Sequence, residues 1–174
     1  MTEYLSPAPL ERDHDLAGFR SDLPAQGDWL RRLGRQSHSS RDTTVMVSIE
    51  RGTQRVAGYY AWRMSDVAPS DAPARLLQGA GGYDVPAALL ARLAVDERDA
   101  GRGLGSSLLR DVVFRTIEAS ATIGCRALVV HCADEHARKF YLDKVPSFEP
   151  SPSDPLHLVL LVKDMRRTLG ISSS

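Results

Sequence analysis

Several features are scarce in this chain, and each scarcity argues against a class of protein. The only cysteines, Cys125 and Cys132, have no C-x-x-C spacing and no histidine pair at metal spacing, which argues against a disulfide framework and a zinc site. No apolar run approaches the ~20 residues of a membrane span, and the N-terminus lacks the basic-then-apolar pattern of a signal peptide. We therefore expect a cytoplasmic protein without a membrane segment or a bound metal.

The charges balance, with 22 basic and 22 acidic residues, so no overall field favours nucleic acid. Lysine is rare, since only residues 139, 144 and 163 among the basic residues are lysine. A length of 174 residues with 43% hydrophobic content suits one domain with a sizeable core. We expect that single domain over residues 1–168 and a frayed tail over 169–174.

The hydrophobic pattern predicts a mixed α/β fold. Strands are predicted within residues 1–24 and at 43–50, 55–64, 85–95, 126–132 and 156–162. Helices are predicted at 25–36, from Leu104 to a stop near Gly124, and at 133–143, with a loop and one short helix over 66–84. The turn at 51–54 indicates an antiparallel hairpin, whereas the helical crossover between 85–95 and 126–132 indicates a parallel pair. In the first helix, Trp29, Leu30 and Leu33 are expected to face inward.

The most informative stretch is residues 98–105, which read Arg-Asp-Ala-Gly-Arg-Gly-Leu-Gly between a predicted strand and a predicted helix. Three glycines leave backbone N–H groups bare, and the N-terminus of the following helix is locally positive. Such a turn suits a phosphate or pyrophosphate. The alternative is a glycine-rich turn that merely starts a helix.

Two common phosphate-binding motifs fit this stretch poorly. A Walker loop ends in Gly-Lys-Ser/Thr, but here the corresponding residues are Gly105-Ser106-Ser107 and no lysine is present. A dinucleotide fingerprint needs a third glycine, but that position is Ser106 and the loop lies past the middle of the chain.

The pattern R-x-x-G-x-G, formed by Arg98, Gly101 and Gly103, resembles the acetyl-coenzyme A loop of the GNAT superfamily of N-acetyltransferases. The resemblance implies a mostly antiparallel mixed sheet whose central parallel strands splay apart, flanked by helices. It also implies that the pantetheine arm lies between those strands and pairs with main chain near Leu93 and Val95. The implied acetyl-CoA-binding residues are Leu93, Ala94, Val95, Arg98, Asp99, Ala100, Gly101, Arg102, Gly103, Leu104, Gly105 and Ser106.

A second GNAT-like element follows the strand at 126–132. Residues 134–141 are similar to the family pattern N-x-x-A-x-x-F/L-Y, with Asp134 in place of the common asparagine. The resemblance places Tyr141 beside the coenzyme A sulfur. A phenol with a pKa of about 10 is protonated at neutral pH and can donate to a departing thiolate. The alternative is a packed tyrosine whose hydroxyl donates to a backbone carbonyl.

Over nearly its whole length the chain resembles GNAT-type toxins of bacterial toxin–antitoxin modules, at His14–Phe19, Asp28–Arg32, Val56–Ala61, Leu93–Asp96 and Pro152–Leu156. It departs from them at Phe19–Asp22, which lacks the family's cysteine and glycine, and at Lys144–Phe148, which is about two residues longer than the usual F-G-F turn. The resemblance implies acetylation of aminoacyl-tRNA, a ribbon-helix-helix antitoxin and a homodimer. Both departures bear on the acceptor more than on the fold.

Arginines suggest how an acceptor tRNA would be held. Seven arginines lie between Leu30 and Arg63 against only Asp42 and Glu50, and a local basic face can exist on a neutral protein. The alternative is a solvated helix face on which arginine replaces lysine. The candidate tRNA contacts are Arg31, Arg32, Arg35, Arg75 and Arg92.

The sequence therefore predicts an acetyl-CoA-dependent N-acetyltransferase with direct amine attack, Tyr141 as the acid and aminoacyl-tRNA as the acceptor. His131 and His136 could assist through water, but each is expected to be structural or exposed. One alternative is a GNAT enzyme acting on a small amine or a protein N-terminus. Another is a non-catalytic protein that binds coenzyme A and a repressor partner.

Overall fold

The computed structural model of the chain describes residues 3–170. It divides into two compact units, the first within Met1–Arg63 and Ala91–Val112 and the second within Met64–Leu90 and Val113–Ser174. Of the frayed tail predicted at 169–174, residues 171–174 lie outside the described residues. No helix in the described region has the length and apolarity needed to cross a bilayer.

Seven strands form one mixed sheet in the order β1-β2-β3-β4-β5-β7-β6. They are β1 (Ala8–Pro9), β2 (Thr44–Ile49), β3 (Val56–Val67), β4 (Val85–Val95), β5 (Ala127–His131), β6 (Glu149–Pro150) and β7 (His157–Leu161). The predicted hairpin of β2 and β3 is antiparallel, and β4 pairs with β5 in parallel, as predicted from the helical crossover. The short β6 is absent from the sequence prediction.

The helices are α1 (Pro24–Trp29), α2 (Arg35–Ser40), α3 (Ala74–Leu77), α4 (Leu104–Ser120), α5 (Glu135–Lys144) and α6 (Val162–Thr168). A π-helical segment, Leu30–Gly34, joins α1 to α2 without a break. The predicted helix at 25–36 therefore continues to Ser40, where Arg41 in a left-handed conformation (φ 67°) ends it. The C-terminal α6 was not predicted.

The π-helical segment explains one wrong prediction. Leu33 was expected to face inward, but it is 49% exposed, whereas Leu30 is fully buried. A π turn contains more residues than an α turn, so the side chains that follow Leu30 are rotated away from the face that an α-helical spacing would give them. Gly34 is buried next to Leu30: a Cβ added at Gly34 would lie 3.1 Å from a methyl carbon of the Leu30 side chain.

The helix α4 has one apolar face. Its two apolar rows are buried, and they comprise Leu104, Leu108, Val112, Leu109, Val113 and Ile117. In the first unit, α4 lies so close to β3 that a Cβ at Gly58 would be 2.9 Å from the Leu108 side chain. Close packing of this kind fixes where the first turn of α4, and hence the loop before it, is placed.

Candidate active site

The loop before α4, in the first unit, has the backbone of an anion site. After β4 a 3₁₀ turn, Glu97–Asp99, leads to Gly101 (φ 77°) and Gly103 (φ 81°), and α4 begins at Leu104. Left-handed backbone favours glycine. A Cβ at either glycine would meet no atom within 4 Å, so this side of the loop is open.

The first turn of α4 supplies N–H donors next to this open side. The N–H of Ser107 donates to the Gly103 carbonyl (3.1 Å), which starts the helical ladder. The N–H groups of Leu104, Gly105 and Ser106 precede that bond and have no partner within the helix. Together with the helix dipole, they can bind a phosphate or pyrophosphate.

Arg98 braces the loop rather than reaching out of it. Its guanidinium donates to Asp96 from Nε (2.8 Å) and from a terminal nitrogen (2.9 Å), and to the Gly18 carbonyl (3.2 Å). Asp96 is fully buried. Burial alone would raise the pKa of Asp96, but hydrogen bonds from Arg98 and from the backbone of Arg20 outweigh it and hold that pKa below its usual range.

Asp99 forms the second brace of the loop. It is 2% exposed and accepts two hydrogen bonds from Arg55 (2.7 and 3.0 Å) and one from the Tyr4 hydroxyl (2.7 Å). Here too burial would raise the pKa of the carboxyl, but hydrogen bonds from Arg55 and Tyr4 lower it overall. Neither Arg55 nor Tyr4 could be identified from the sequence, because no local pattern marks partners that are 44 and 95 residues away from Asp99.

The predicted pantetheine segment lies at the end of β4. In the described part of the chain, the parallel register of β4 with β5 runs from Ala87–Ala127 to Leu90–Val130. The strand β4 itself continues to Val95. Leu93, Ala94 and Val95 therefore lie beyond the paired stretch, and this is compatible with the splay that the GNAT resemblance implies.

Tyr141 lies on α5, in the second unit, and is 7% exposed. Its ring packs edge-on against Phe140 (centroids 5.2 Å apart) and Phe148 (6.0 Å). Among the described residues, no group accepts a hydrogen bond from the Tyr141 hydroxyl, so the alternative of a phenol donating to a carbonyl is not observed. Burial, with Cys132 nearby, raises the pKa of Tyr141 above that of an ordinary phenol, so the hydroxyl keeps its proton at neutral pH.

The five arginines that are candidate tRNA contacts differ in how many of their guanidinium N–H groups are already hydrogen-bonded within the protein. Arg31 donates to the Phe19 carbonyl and to Asp28, and Arg35 donates to the carbonyls of Glu11 and His14. Arg32 is exposed on the π-helical segment. These three side chains follow one another along the same helical run.

Arg75 and Arg92 are held by side chains. Arg75 donates twice to the buried Asp164 (2.8 and 3.0 Å) and once to Glu149 (2.6 Å). Arg92 lies 4.8 Å from the centre of the Trp29 ring and donates to Gln26 (2.9 Å). Arg75 thus holds an ion pair of the second unit, whereas Arg92 retains donors beyond its bond to Gln26.

The two histidines considered as bases also have definite places. His131, at the exposed end of β5, stacks on His157 with ring centroids 3.8 Å apart, and partial desolvation together with the charge of His157 lowers its pKa. His136 is exposed on α5. Cys125 and Cys132 are free and buried.

Comparison with known proteins places the chain among acetyltransferases. The acetyltransferase (GNAT) family matches residues 10–144. A tRNA-acetylating toxin of Mycobacterium tuberculosis (strain ATCC 25618 / H37Rv) is 41% identical over 170 residues, which cover 98% of this chain and 99% of that protein. The probable toxin TacT of Sinorhizobium fredii (strain NBRC 101917 / NGR234) is 27% identical over 163 residues, 90% of each chain.

Solved structures show the same fold. A tyrosine-to-phenylalanine mutant of KacT has a TM-score of 0.86 at 22% identity and covers 95% of this chain and 99% of its own. The structure of AtaT complexed with acetyl-methionyl-tRNAfMet has a TM-score of 0.85 at 22% identity, and the match covers 94% of this chain and 98% of the AtaT chain. Because the family match and the M. tuberculosis relative span most of the sequence, the chain belongs to the GNAT family of acetyltransferases.

Proposed function

We propose that this chain transfers the acetyl group of acetyl-CoA to the α-amino group of aminoacyl-tRNA and acts as a toxin by blocking translation. The observation that carries the choice of acceptor is its 41% identity, over nearly the full length of both chains, to a protein named as a tRNA-acetylating toxin. The reaction takes place in the cytoplasm, where charged tRNA is found. The family and the loop before α4 support acetyl-CoA as the donor.

In this proposal the cofactor is held mainly by main chain. The segment Arg98–Ser106 offers the N–H groups of its glycine turn and of the first turn of α4 to the pyrophosphate. The main chain of Leu93, Ala94 and Val95 pairs with the pantetheine arm. An N–H of this segment also stabilises the oxyanion of the tetrahedral intermediate.

The chemical step needs no covalent enzyme intermediate. The neutral amine nitrogen attacks the thioester carbon, the new C–N bond forms, and the C–S bond breaks as the intermediate collapses. Tyr141 donates its phenol proton to the departing sulfur. The nitrogen that has attacked releases one proton to solvent, and the tyrosinate takes one proton back from solvent, so the protons balance over the cycle. An α-amino group has a pKa of about 7.7–8.0, so a useful fraction is neutral at pH 7 without a strong base.

Arginine contacts would position the acceptor. Among the candidates, Arg32 and Arg92 have the clearest capacity to bind phosphate, because Arg32 is exposed and Arg92 keeps donors beyond Gln26. Arg31 and Arg35 would act beside them on the same helical run. Arg75 would contribute charge while it remains paired with Asp164.

The proposal extends to partners and organisation. We take residues 1–168 as one GNAT domain, active as a homodimer and neutralised by a ribbon-helix-helix antitoxin. The structure of AtaT with the C-terminus of the antitoxin AtaR supports a protein inhibitor for this fold. The arginines at 166 and 167 are the candidate antitoxin contact.

The test is transfer of labelled acetyl from acetyl-CoA to bulk charged tRNA, with uncharged tRNA as a control. Tyr141→Phe is expected to lower kcat by about 100-fold or more. Acetyl-CoA binding and the free energy of unfolding should change little, because the hydroxyl makes no hydrogen bond to any other residue that the structure describes.

The matched variant is Tyr60→Phe. It removes a hydroxyl that donates to Asp111 (2.7 Å), so it should lower stability by about 1–2 kcal/mol and leave kcat near wild type. Label on small amines or protein N-termini, with none on charged tRNA, would overturn the acceptor assignment. Equal rates for Tyr141→Phe and wild type would remove Tyr141 from the mechanism.

A further inference from the structure

Two buried carboxylates flank a loop that is built to bind an anion. Asp96 and Asp99 are 0% and 2% exposed, and they stand at either end of the 3₁₀ turn that leads into the glycines at 101 and 103. An unpaired carboxylate here would repel a pyrophosphate. Each is instead neutralised by an arginine, Arg98 for Asp96 and Arg55 for Asp99.

The Asp99 brace reaches out of the loop to other elements of the first unit. Arg55, at the start of β3, donates to both oxygens of Asp99 and, through Nε, to Glu50 (3.1 Å) at the end of β2. Tyr4 adds a third hydrogen bond to Asp99. Two hydrogen bonds from Arg55 therefore tie the 3₁₀ turn to the hairpin of β2 and β3, and a third ties it to Tyr4 near the start of the chain.

The start of the loop is tied down separately. The N–H of Asp96 donates to the Ala57 carbonyl (2.8 Å), and the N–H of Glu97 donates to the Arg20 carbonyl (2.8 Å). The Asp96 side chain accepts from the N–H of Arg20 (3.2 Å). Beyond Asp99 the chain passes through two left-handed glycines, which are the residues with the greatest freedom in an unconstrained chain.

We propose that Asp99, Arg55 and Tyr4 are positioning residues for the cofactor: they hold the glycine turn so that its N–H groups converge on the pyrophosphate, although none of the three side chains binds it. The inference rests on the proposed function, which assigns Arg98–Ser106 to the pyrophosphate. Affinity for the pyrophosphate part of the cofactor then depends on preorganisation supplied by the hairpin.

A second ion pair in this protein provides a matched control. In the second unit Arg75 makes two hydrogen bonds to Asp164, at 2.8 and 3.0 Å, and Asp164 is 2% exposed. Arg75 also contacts a glutamate, Glu149, just as Arg55 contacts Glu50. Asp164→Asn and Asp99→Asn thus disturb nearly identical pairs, and only the second pair belongs to the loop.

The experiment measures dissociation constants by calorimetry, directly for coenzyme A and by competition for pantetheine, which lacks the pyrophosphate. Wild type is expected to prefer coenzyme A strongly. Asp99→Asn should reduce that preference by about tenfold or more and leave pantetheine binding unchanged. Asp164→Asn should leave the dissociation constants for coenzyme A and for pantetheine near wild type. This should hold even if it lowers the melting temperature as much as Asp99→Asn does.

Tyr4→Phe is the milder variant. It removes the hydrogen bond that the hydroxyl donates to Asp99 and the longer one that it accepts from Arg102 (3.4 Å), and it keeps the Arg55 pair. It should shift the preference in the same direction by a smaller factor in a fully folded protein. Coenzyme A affinity that is equal in Asp99→Asn, Tyr4→Phe and Asp164→Asn would overturn the positioning role and leave the proposed function standing. A wild-type protein that binds pantetheine as tightly as coenzyme A would overturn the pyrophosphate assignment itself.

Discussion

Gly103 has a backbone conformation that a side chain would strain. Its φ is 81°, and the space where a Cβ would stand is open to a ligand. Gly103→Ala is therefore expected to lower the free energy of unfolding by about 1 kcal/mol and also to raise the KM for acetyl-CoA. Chemical denaturation and initial rates would measure the two effects.

Gly52 provides the comparison for this prediction. It also has a φ of 81° and open space around it, but it lies in the turn between β2 and β3. Gly52→Ala should cause the same loss of stability and leave the KM for acetyl-CoA unchanged. A Gly103→Ala enzyme with a wild-type KM would show that the loop does not approach the cofactor at this glycine.

Some residues of the loop before α4 and of the candidate site could be predicted from the sequence, and others could not. The glycines of the loop and Tyr141 could be proposed as site residues because each belongs to a local pattern. The Arg55–Asp99 pair could not, since the partners are 44 residues apart and meet only when β3 and the loop are folded. Arg98 was placed in the loop correctly, but nothing in the sequence shows that its guanidinium is committed to Asp96.

The helix α5, which carries Tyr141, depends on a side-chain cap at its start. Asp134 accepts a hydrogen bond from the N–H of Ala137 (2.8 Å). Asp134→Ala should lower the free energy of unfolding by about 1 kcal/mol, whereas Asp134→Asn, which can accept the same bond, should cost only a few tenths. Thermal unfolding of the two variants would measure this difference.

The opposite end of the same helix offers a control. Asp143 is exposed and pairs with Lys139 one turn earlier (2.7 Å). Water and salt screen an exposed pair of this kind, so it contributes little to stability, and Asp143→Ala should lower the free energy of unfolding less than Asp134→Ala. Equal losses would mean that the cap does not stabilise α5.

Most elements could be predicted, because apolar periodicity is strong in β2 to β5 and in α4. The π-helical segment could not, since its residues match an α-helical spacing until the extra residue rotates Leu33 to solvent. The end of α2 was missed because arginine, not glycine, takes the left-handed cap at residue 41. The short α6 follows β7 directly, with no loop between them to mark its start.

The stability of the whole molecule should fall in two stages as the pH is lowered. Partial desolvation lowers the pKa values of the half-buried His38 and of His131 beside His157, so their neutral forms are favoured in the folded state and stability declines modestly as the pH drops below about 6.5. Asp96, Asp99 and Asp164 have lowered pKa values, so their contribution is present above about 4 and is lost below it.

Denaturant unfolding from pH 8 to pH 3 would measure both stages. His131→Asn should reduce the decline between pH 7 and 5 and leave the decline below pH 4 in place. Asp164→Asn should reduce the decline below pH 4 and leave the decline between pH 7 and 5 in place. A free energy of unfolding that stays constant from pH 7 to 5 would contradict the role of the histidines.

Every carboxylate of that buried set is neutralised by arginine, namely Arg98, Arg55 and Arg75. A guanidinium stays protonated at any pH at which amines react with thioesters. Because it is protonated, it cannot act as a nucleophile and does not accept an acyl group. Lysine in those positions would place a competing amine inside a protein of an acetyl-transferring family. The chain's lysines are instead residues 139, 144 and 163, outside these pairs. The ties that hold the loop before α4 are therefore chemically inert toward an activated acetyl group, and self-modification would not loosen them.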